Sequence, residues 1–252
     1  MKVAAVVVGT DDERFRRVDA NRERMQLAER IAGFTKSTAD VILLPAGFLA
    51  AKADREVRRH AESLAEVFGK QVLLAGVDES DETRSASKDR RFGKSKDATG
   101  NGEGHPFWVF ASRNGKLIGG PWQQRSAFSG DAVSDPAPRC VSVGESTIGV
   151  LICGELYNRA IADSLAEAKP DLVVDLAHLS MKRFTRSLHR VAEAAECPVL
   201  HVQHVALGSR TAAKWTAGTQ EARGDRAVDW ASYNEPDLAS DGLWAEVKLW
   251  KV

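Results

Sequence analysis

Thr147-Ile148-Gly149-Val150-Leu151-Ile152-Cys153-Gly154-Glu155-Leu156-Tyr157 runs from an apolar stretch straight into a cysteine, a glycine and a glutamate. Ile148–Ile152 has the length and β-branched content of a buried strand. It forms a hairpin with Cys140–Val143 around Gly144–Thr147. A cysteine that ends such a strand, ahead of a helix, carries its sulfur at the rim of the sheet. The backbone N–H groups that follow, Gly154 first, can face a developing oxyanion. The plain alternative is a packed structural thiol. Cys197, beside Pro198, is read that way.

Outward from this stretch the chain alternates strand and helix, the pattern of an α/β fold. On the N-terminal side, Val3–Val8 is a short β-branched run, followed by a helix-like segment from about Asp19 to Lys36. Val41–Leu44 is a second strand closed by Pro45, and Val57, Ala61, Leu64, Ala65 and Phe68 trace one face of a helix that Gly69 ends. Val72–Val77 is a third strand, and the polar residues from Asp78 to His105 read as a long loop. Phe107–Ala111 and Leu117–Ile118 flank Asn114-Gly115, a hairpin turn signal. On the C-terminal side come a helix over Ala160–Ala168, a strand over Leu172–Leu176, and a helix marked by Phe184, Leu188, Val191, Ala192 and Ala195. Val199–Val202 is another strand, and a polar, irregular stretch leads to a closing strand at Leu243–Leu249. Neither an internal repeat nor a linker divides the 252 residues, so one domain over 1–252 is expected.

Several function classes are disfavoured. Lys+Arg and Asp+Glu are equal at 35 each, without the basic surplus of a nucleic-acid-binding domain. No apolar run approaches the roughly 20 residues that span a bilayer, and the opening MKVAAVVVG reads as a first strand rather than a signal peptide. Three cysteines suit free thiols in a reducing cytoplasm. Phe92-Gly93-Lys94-Ser95 lacks the earlier glycine of a phosphate-binding loop, since position 88 is Lys88. Gly100-Asn101-Gly102-Glu103-Gly104 lacks the spacing of a dinucleotide fingerprint. No His, Cys and carboxylate set has metal-ligand spacing, so neither metal nor cofactor is expected.

Set in order, these segments resemble the carbon–nitrogen hydrolase (nitrilase) superfamily. The Ile148–Glu155 stretch is similar to its nucleophile motif, and Val41–Pro45 to the strand that ends in Pro-Glu and delivers its general base. Asn114-Gly115-Lys116-Leu117-Ile118 is similar to the hairpin ahead of its catalytic lysine. Leu188–His204 is similar to the helix and strand bordering its pocket, and Gly242–Leu249 to its closing strand. The resemblance implies a four-layer α-β-β-α sandwich with two mixed sheets packed face to face. It also implies a thiol that attacks an amide or nitrile carbon of a small molecule, a carboxylate that takes the thiol proton, and a lysine that steadies the anionic intermediate. Pairing of subunits into a homodimer is a further implication.

The chain departs from this pattern at two of the three catalytic positions. Pro45 is followed by Ala46 and Gly47 where the carboxylate is expected, and the lysine position falls among Trp122-Gln123-Gln124-Arg125. Cys153 is retained. Loss of a general base typically costs about 10²–10⁴-fold in rate. The candidates for a rearranged site are Cys153 as nucleophile, the Gly154 N–H as oxyanion donor, and Arg125, His178 and Glu155 as supporting groups. His178 follows a strand expected beside that of Cys153 and could serve as base to the thiol. His105, His201 and His204 are weaker candidates, and hydrogen-bonded packing is the plain reading of every histidine. Two functional readings follow: a divergent thiol hydrolase of the amidase type, or an inactive scaffold that binds a small molecule or an assembly partner.

Overall fold

Val3–Val8 is apolar at every position because both faces of this strand are covered, as in sheets clad by helices on one side and a second sheet on the other. Val3, Ala5 and Val7 point one way and Ala4, Val6 and Val8 the other, into two separate cores. The computed structural model describes residues 1–10, 18–80, 105–127, 129–178, 184–205, 219–220, 230–233 and 243–252. The Phe92–Ser95 and Gly100–Gly104 motifs and most of the long polar loop lie outside the described residues.

The strands are β1 (Lys2–Thr10), β2 (Val41–Leu43), β3 (Leu49–Ala51), β4 (Val72–Glu79), β5 (His105–Arg113), β6 (Lys116–Gln124), β7 (Cys140–Val143), β8 (Ser146–Ile152), β9 (Leu172–Leu176), β10 (Val199–Val202), β11 (His204–Val205), β12 (Thr219–Gln220), β13 (Trp230–Tyr233) and β14 (Leu243–Lys251). The helices are α1 (Asn21–Thr35), α2 (Asp54–Phe68), α3 (Arg159–Glu167) and α4 (Phe184–Ala195). One mixed sheet has the order β13-β14-β1-β2-β4-β5-β6, with β11 beside β1 and β3 beside β4. The other has the order β12-β10-β9-β8-β7.

Three apolar layers hold four structural layers together. The first, including Leu27, Ile31, Val57, Leu64, Val6, Ile42 and Leu73, lies between α1, α2 and the large sheet. The second joins the sheets through small and branched side chains, with Ala5, Val7, Leu43 and Leu74 on one side and Ile148, Val150, Leu176 and Val202 on the other. The third seats α3 and α4 on the outer face of the small sheet, with Leu151 and Val173 against Leu165, Leu188 and Val191. This is the α-β-β-α sandwich expected from the sequence. Fully burying such side chains contributes roughly 1.5–3 kcal/mol each, so the repeated apolar alternation of the strands is what commits the chain to two facing sheets.

The Asn114-Gly115 turn has φ of 53° and 69°, the paired left-handed geometry of a tight hairpin. Other boundaries move. β4 continues to Glu79, so Asp78 is a strand residue rather than the first residue of a loop. Its backbone is held in register with Ala50 on β3 and Phe107 on β5. The side-chain pattern turns polar at this point, but the ladder goes on. β6 likewise runs on to Gln124, placing Gln123 and Gln124 in a strand. The stretch expected to be irregular before β14 contains β11, β12 and β13.

Candidate active site

The strands β8 and β9 are parallel and in register from Ile148↔Leu172 to Ile152↔Leu176, so they end side by side. Cys153 follows β8 and His178 stands two residues past β9. In open parallel sheets the crevice outside the carboxyl ends of the strands is where ligands bind. Cys153 is partly exposed and has φ of 48°, a left-handed conformation uncommon for a side-chain-bearing residue. It opens a 3-10 turn over Cys153–Tyr157.

His178 is 4% exposed and links the two sheets. Its Nε2 lies 3.0 Å from Asp78 Oδ1 and 2.8 Å from Oδ2. The carboxylate of Asp78 is fully buried on β4 of the large sheet. The Cys153 side chain stands close enough to the imidazole to act on its charge. Burial by itself pushes His178 down, but the charges of Asp78 and Cys153 and the hydrogen bonds from both carry it up to about 9. Thiol, imidazole and carboxylate are thus neighbours, with the imidazole bound to the carboxylate and cationic at neutral pH. Phe107 packs on the imidazole with ring centroids 4.4 Å apart, and His105 stacks behind Phe107 at 6.4 Å.

Local backbone makes room for this chain. Gly47 has φ of 68°, and a Cβ there would lie 2.6 Å from Asp78 Oδ2 and 3.2 Å from the His178 ring. Arg24, fully buried on α1, donates from Nη1 to the carbonyls of Gly47 and Phe48, each at 2.7 Å, and fixes this turn beneath the carboxylate. Ala46 is buried among the side chains between the sheets, and its carbonyl lies 3.0 Å from His204 Nε2.

Glu155 acts elsewhere. Its buried carboxylate takes Arg139 Nη1 at 3.0 Å, Arg125 Nε at 3.3 Å, the Arg125 N–H at 2.7 Å and the Ile152 N–H at 3.2 Å. Arg125 also donates through Nη1 to the carbonyls of Asp135 and Ala137 at 2.9 and 2.8 Å. These two candidates are therefore brought to each other, and their described contacts tie the segment after β6 to the turn that carries Cys153. Gly154 is pressed against that same segment: a Cβ on it would lie 2.4 Å from the Ala127 Cα. The Gln123 carbonyl accepts from Arg139 Nη2. Gln124 is 2% exposed, faces His105 across the β5–β6 ladder, and donates from Nε2 to the Ser126 carbonyl at 2.8 Å.

His201 belongs to a second buried chain, with Nδ1 2.7 Å from Asp175 Oδ2 and Nε2 2.9 Å from Gln203 Oε1. Among the described residues no group of three or more His, Cys, Asp and Glu side chains could hold a metal ion. No helix among them is long and apolar enough to cross a membrane.

Of the candidates read from the sequence, Cys153 and His178 come together. Asp78, which binds the His178 imidazole, was not among those candidates. One signal could have found it: Cys153, His178 and Asp78 all stand at or just beyond the end of an apolar strand run, at Ile152, Leu176 and Val77.

No family model matches this sequence, and no curated protein matches it. Solved structures do match in fold. An amidase from Nesterenkonia sp. aligns with a TM-score of 0.55 and 14% identity over 81% of this chain and 76% of that chain. A mutant of that amidase, showing Michael addition of acrylamide at its active-site cysteine, aligns with a TM-score of 0.53 and 12% identity over 81% of this chain and 78% of that chain. A glutamine-dependent NAD+ synthetase from Acinetobacter baumannii aligns with a TM-score of 0.50 and 12% identity, over 80% of this chain but 38% of that chain. The chain has the carbon–nitrogen hydrolase fold.

Proposed function

We propose that this chain, built on the carbon–nitrogen hydrolase fold, is a thiol-dependent hydrolase of small-molecule amides that works through Cys153, His178 and Asp78. The observation that carries this reading is the buried imidazole held by the Asp78 carboxylate, 2.8 Å away, at the end of the strand beside the one that delivers Cys153. Such a thiol–base–orienting-acid arrangement is the geometry of nucleophilic catalysis on several unrelated folds. A histidine oriented by a carboxylate takes the role for which Ala46 offers no group.

His178 Nε2 is committed to Asp78, which leaves Nδ1 for the thiol proton. With the imidazole already holding that proton, the pair rests as thiolate and imidazolium, and the sulfur attacks the amide carbon. The C–N bond breaks as His178 returns its proton to the departing amine. Water then attacks the thioester, again losing its proton to His178, and releases a carboxylic acid and the free thiol. The N–H groups that follow Cys153 in its turn, Gly154 first, are the donors offered to the oxyanion.

The test is mass spectrometry of the protein after incubation with a panel of small amides, paired with iodoacetamide alkylation of Cys153 across pH. An acyl adduct on Cys153, and alkylation at pH 7 faster than that of a free thiol, support the reading. A Cys153 that never acylates and reacts no faster than a free thiol favours an inactive binding scaffold.

A further inference from the structure

Behind the site lies a second buried acid–imidazole pair that the mechanism above does not use. Asp175 stands on β9 three residues before His178 and is directly opposite Leu151 on β8 and His201 on β10. It is fully buried, and His201 and Gln203 are 2% and 4% exposed. The chain runs Asp175 Oδ2 to His201 Nδ1 at 2.7 Å, then His201 Nε2 to Gln203 Oε1 at 2.9 Å. The Gln203 carbonyl in turn accepts from Val8 N–H at 3.4 Å, anchoring the end of this chain to the large sheet.

A purely structural carboxylate in this position would be fully satisfied, since an under-satisfied buried charge is costly. Asp175 Oδ1 has no hydrogen-bond partner within the geometric limits of a good bond. Burial pushes its carboxyl up, and the groups that pull it back are His201, the backbone N–H of Cys153 and the charge of His178. Two of those belong to the site. Cys153 itself holds φ of 48°, a conformation that persists only where its surroundings over-determine it. Glu155, through the Ile152 N–H, steadies one side of this turn.

We propose that Asp175, held by His201 and Gln203, is a positioning residue that fixes the left-handed Cys153 turn and so the placement of the thiol beside His178. This rests on the thiol–imidazole reading above. Among the described residues, the other charged or titratable groups around that pair include Asp78 from β4, His204 from β11, whose N–H donates to the His178 carbonyl at 3.0 Å, and, beyond Phe107, His105 from β5, with Glu155, Arg125 and Arg139 on the turn's own anchor. Asp175 acts through the backbone and the field, touching neither substrate nor the reacting sulfur.

The experiment is the pH profile of Cys153 alkylation by iodoacetamide in the wild type, Asp175→Asn and Gln203→Met, with melting temperature as the control for folding. Gln203→Met removes only the last link and tests the same chain if Asp175→Asn folds poorly. The expected result is a roughly tenfold slower reaction at pH 7 in Asp175→Asn, equivalent to about one pK unit. Its midpoint should move toward that of an ordinary thiol, with a smaller shift of the same sign in Gln203→Met. A fast wild type with unchanged profiles in the folded variants overturns the positioning role alone. A wild-type Cys153 that reacts like a free thiol overturns this role together with the reading it rests on.

Discussion

His178 shows how far a residue's chemistry depends on what folding brings to it. An imidazole buried alone loses its proton more readily, whereas this one is carried up to about 9 because Asp78 and Cys153 outweigh burial. Asp78→Asn keeps the shape of the contact and removes the charge. NMR titration of the His178 ring in that variant should show its pKa falling well below 9, with Cys153 alkylation at pH 7 slowing in parallel. A ring that still titrates as in the wild type would remove Asp78 from the site. Glu155 is the opposite case, a carboxylate whose described contacts are with the scaffold. Its partners Arg139 and Arg125 are 10% and 16% exposed, so Glu155→Gln leaves both guanidinium groups short of their counter-charge. Breaking a buried pair of this kind costs about 3–5 kcal/mol. Chemical denaturation should register a loss of that order, and a loss under 1 kcal/mol would mean that water already serves the arginines.

At the scale of elements, the thiol is positioned by β8 and by the turn that follows it, and that turn is built against the segment leaving β6. Gly154 is where the two meet, with no room for a Cβ beside the Ala127 backbone. Backbone cannot rotate aside as a side chain can. Gly154→Ala should therefore destabilise by roughly 1–3 kcal/mol, the usual cost of overpacking. It should also slow Cys153 alkylation, because relief of the clash must move either the turn or residues 125–127. A variant that melts at the wild-type temperature and alkylates at the wild-type rate would show that the two segments are looser than their contacts imply. Other elements were plain in the sequence for local reasons. The helix α2 announced itself by the spacing of Val57, Ala61, Leu64, Ala65 and Phe68, all of which are buried. The end of β4 did not, because pairing with β3 and β5 carries Asp78 into the strand after the apolar pattern has stopped.

For the whole molecule, the site lies where two sheets meet, and its charge is coupled to folding. Asp78 comes from the large sheet and His178 from the end of β9 in the small one, so their pairing exists only when the sheets are packed together. His178 is raised in the folded protein from 6.5 to about 9. Protonation therefore favours the folded state. That contribution is fully present below pH 6.5 and is lost as pH rises through about 9. Denaturant midpoints should fall across this window in the wild type, and the slope should flatten in His178→Asn. Equal slopes in the two proteins would mean that another group dominates the linkage.

The sequence by itself determined the α/β order of strands and helices, because apolar runs fix which faces must be buried whatever their partners turn out to be, and its resemblance to the carbon–nitrogen hydrolases implied the layered sandwich. It also marked Cys153 and His178, since each follows a legible strand and the chemistry of each side chain is intrinsic. Only the tertiary structure decided which acid serves the imidazole. Asp78 and His178 are 100 residues apart in the chain, and no local rule couples them. Their contact follows from the face-to-face packing of the sheets, the Gly47 turn that leaves space for the carboxylate, and the buried Arg24 that holds this turn in place.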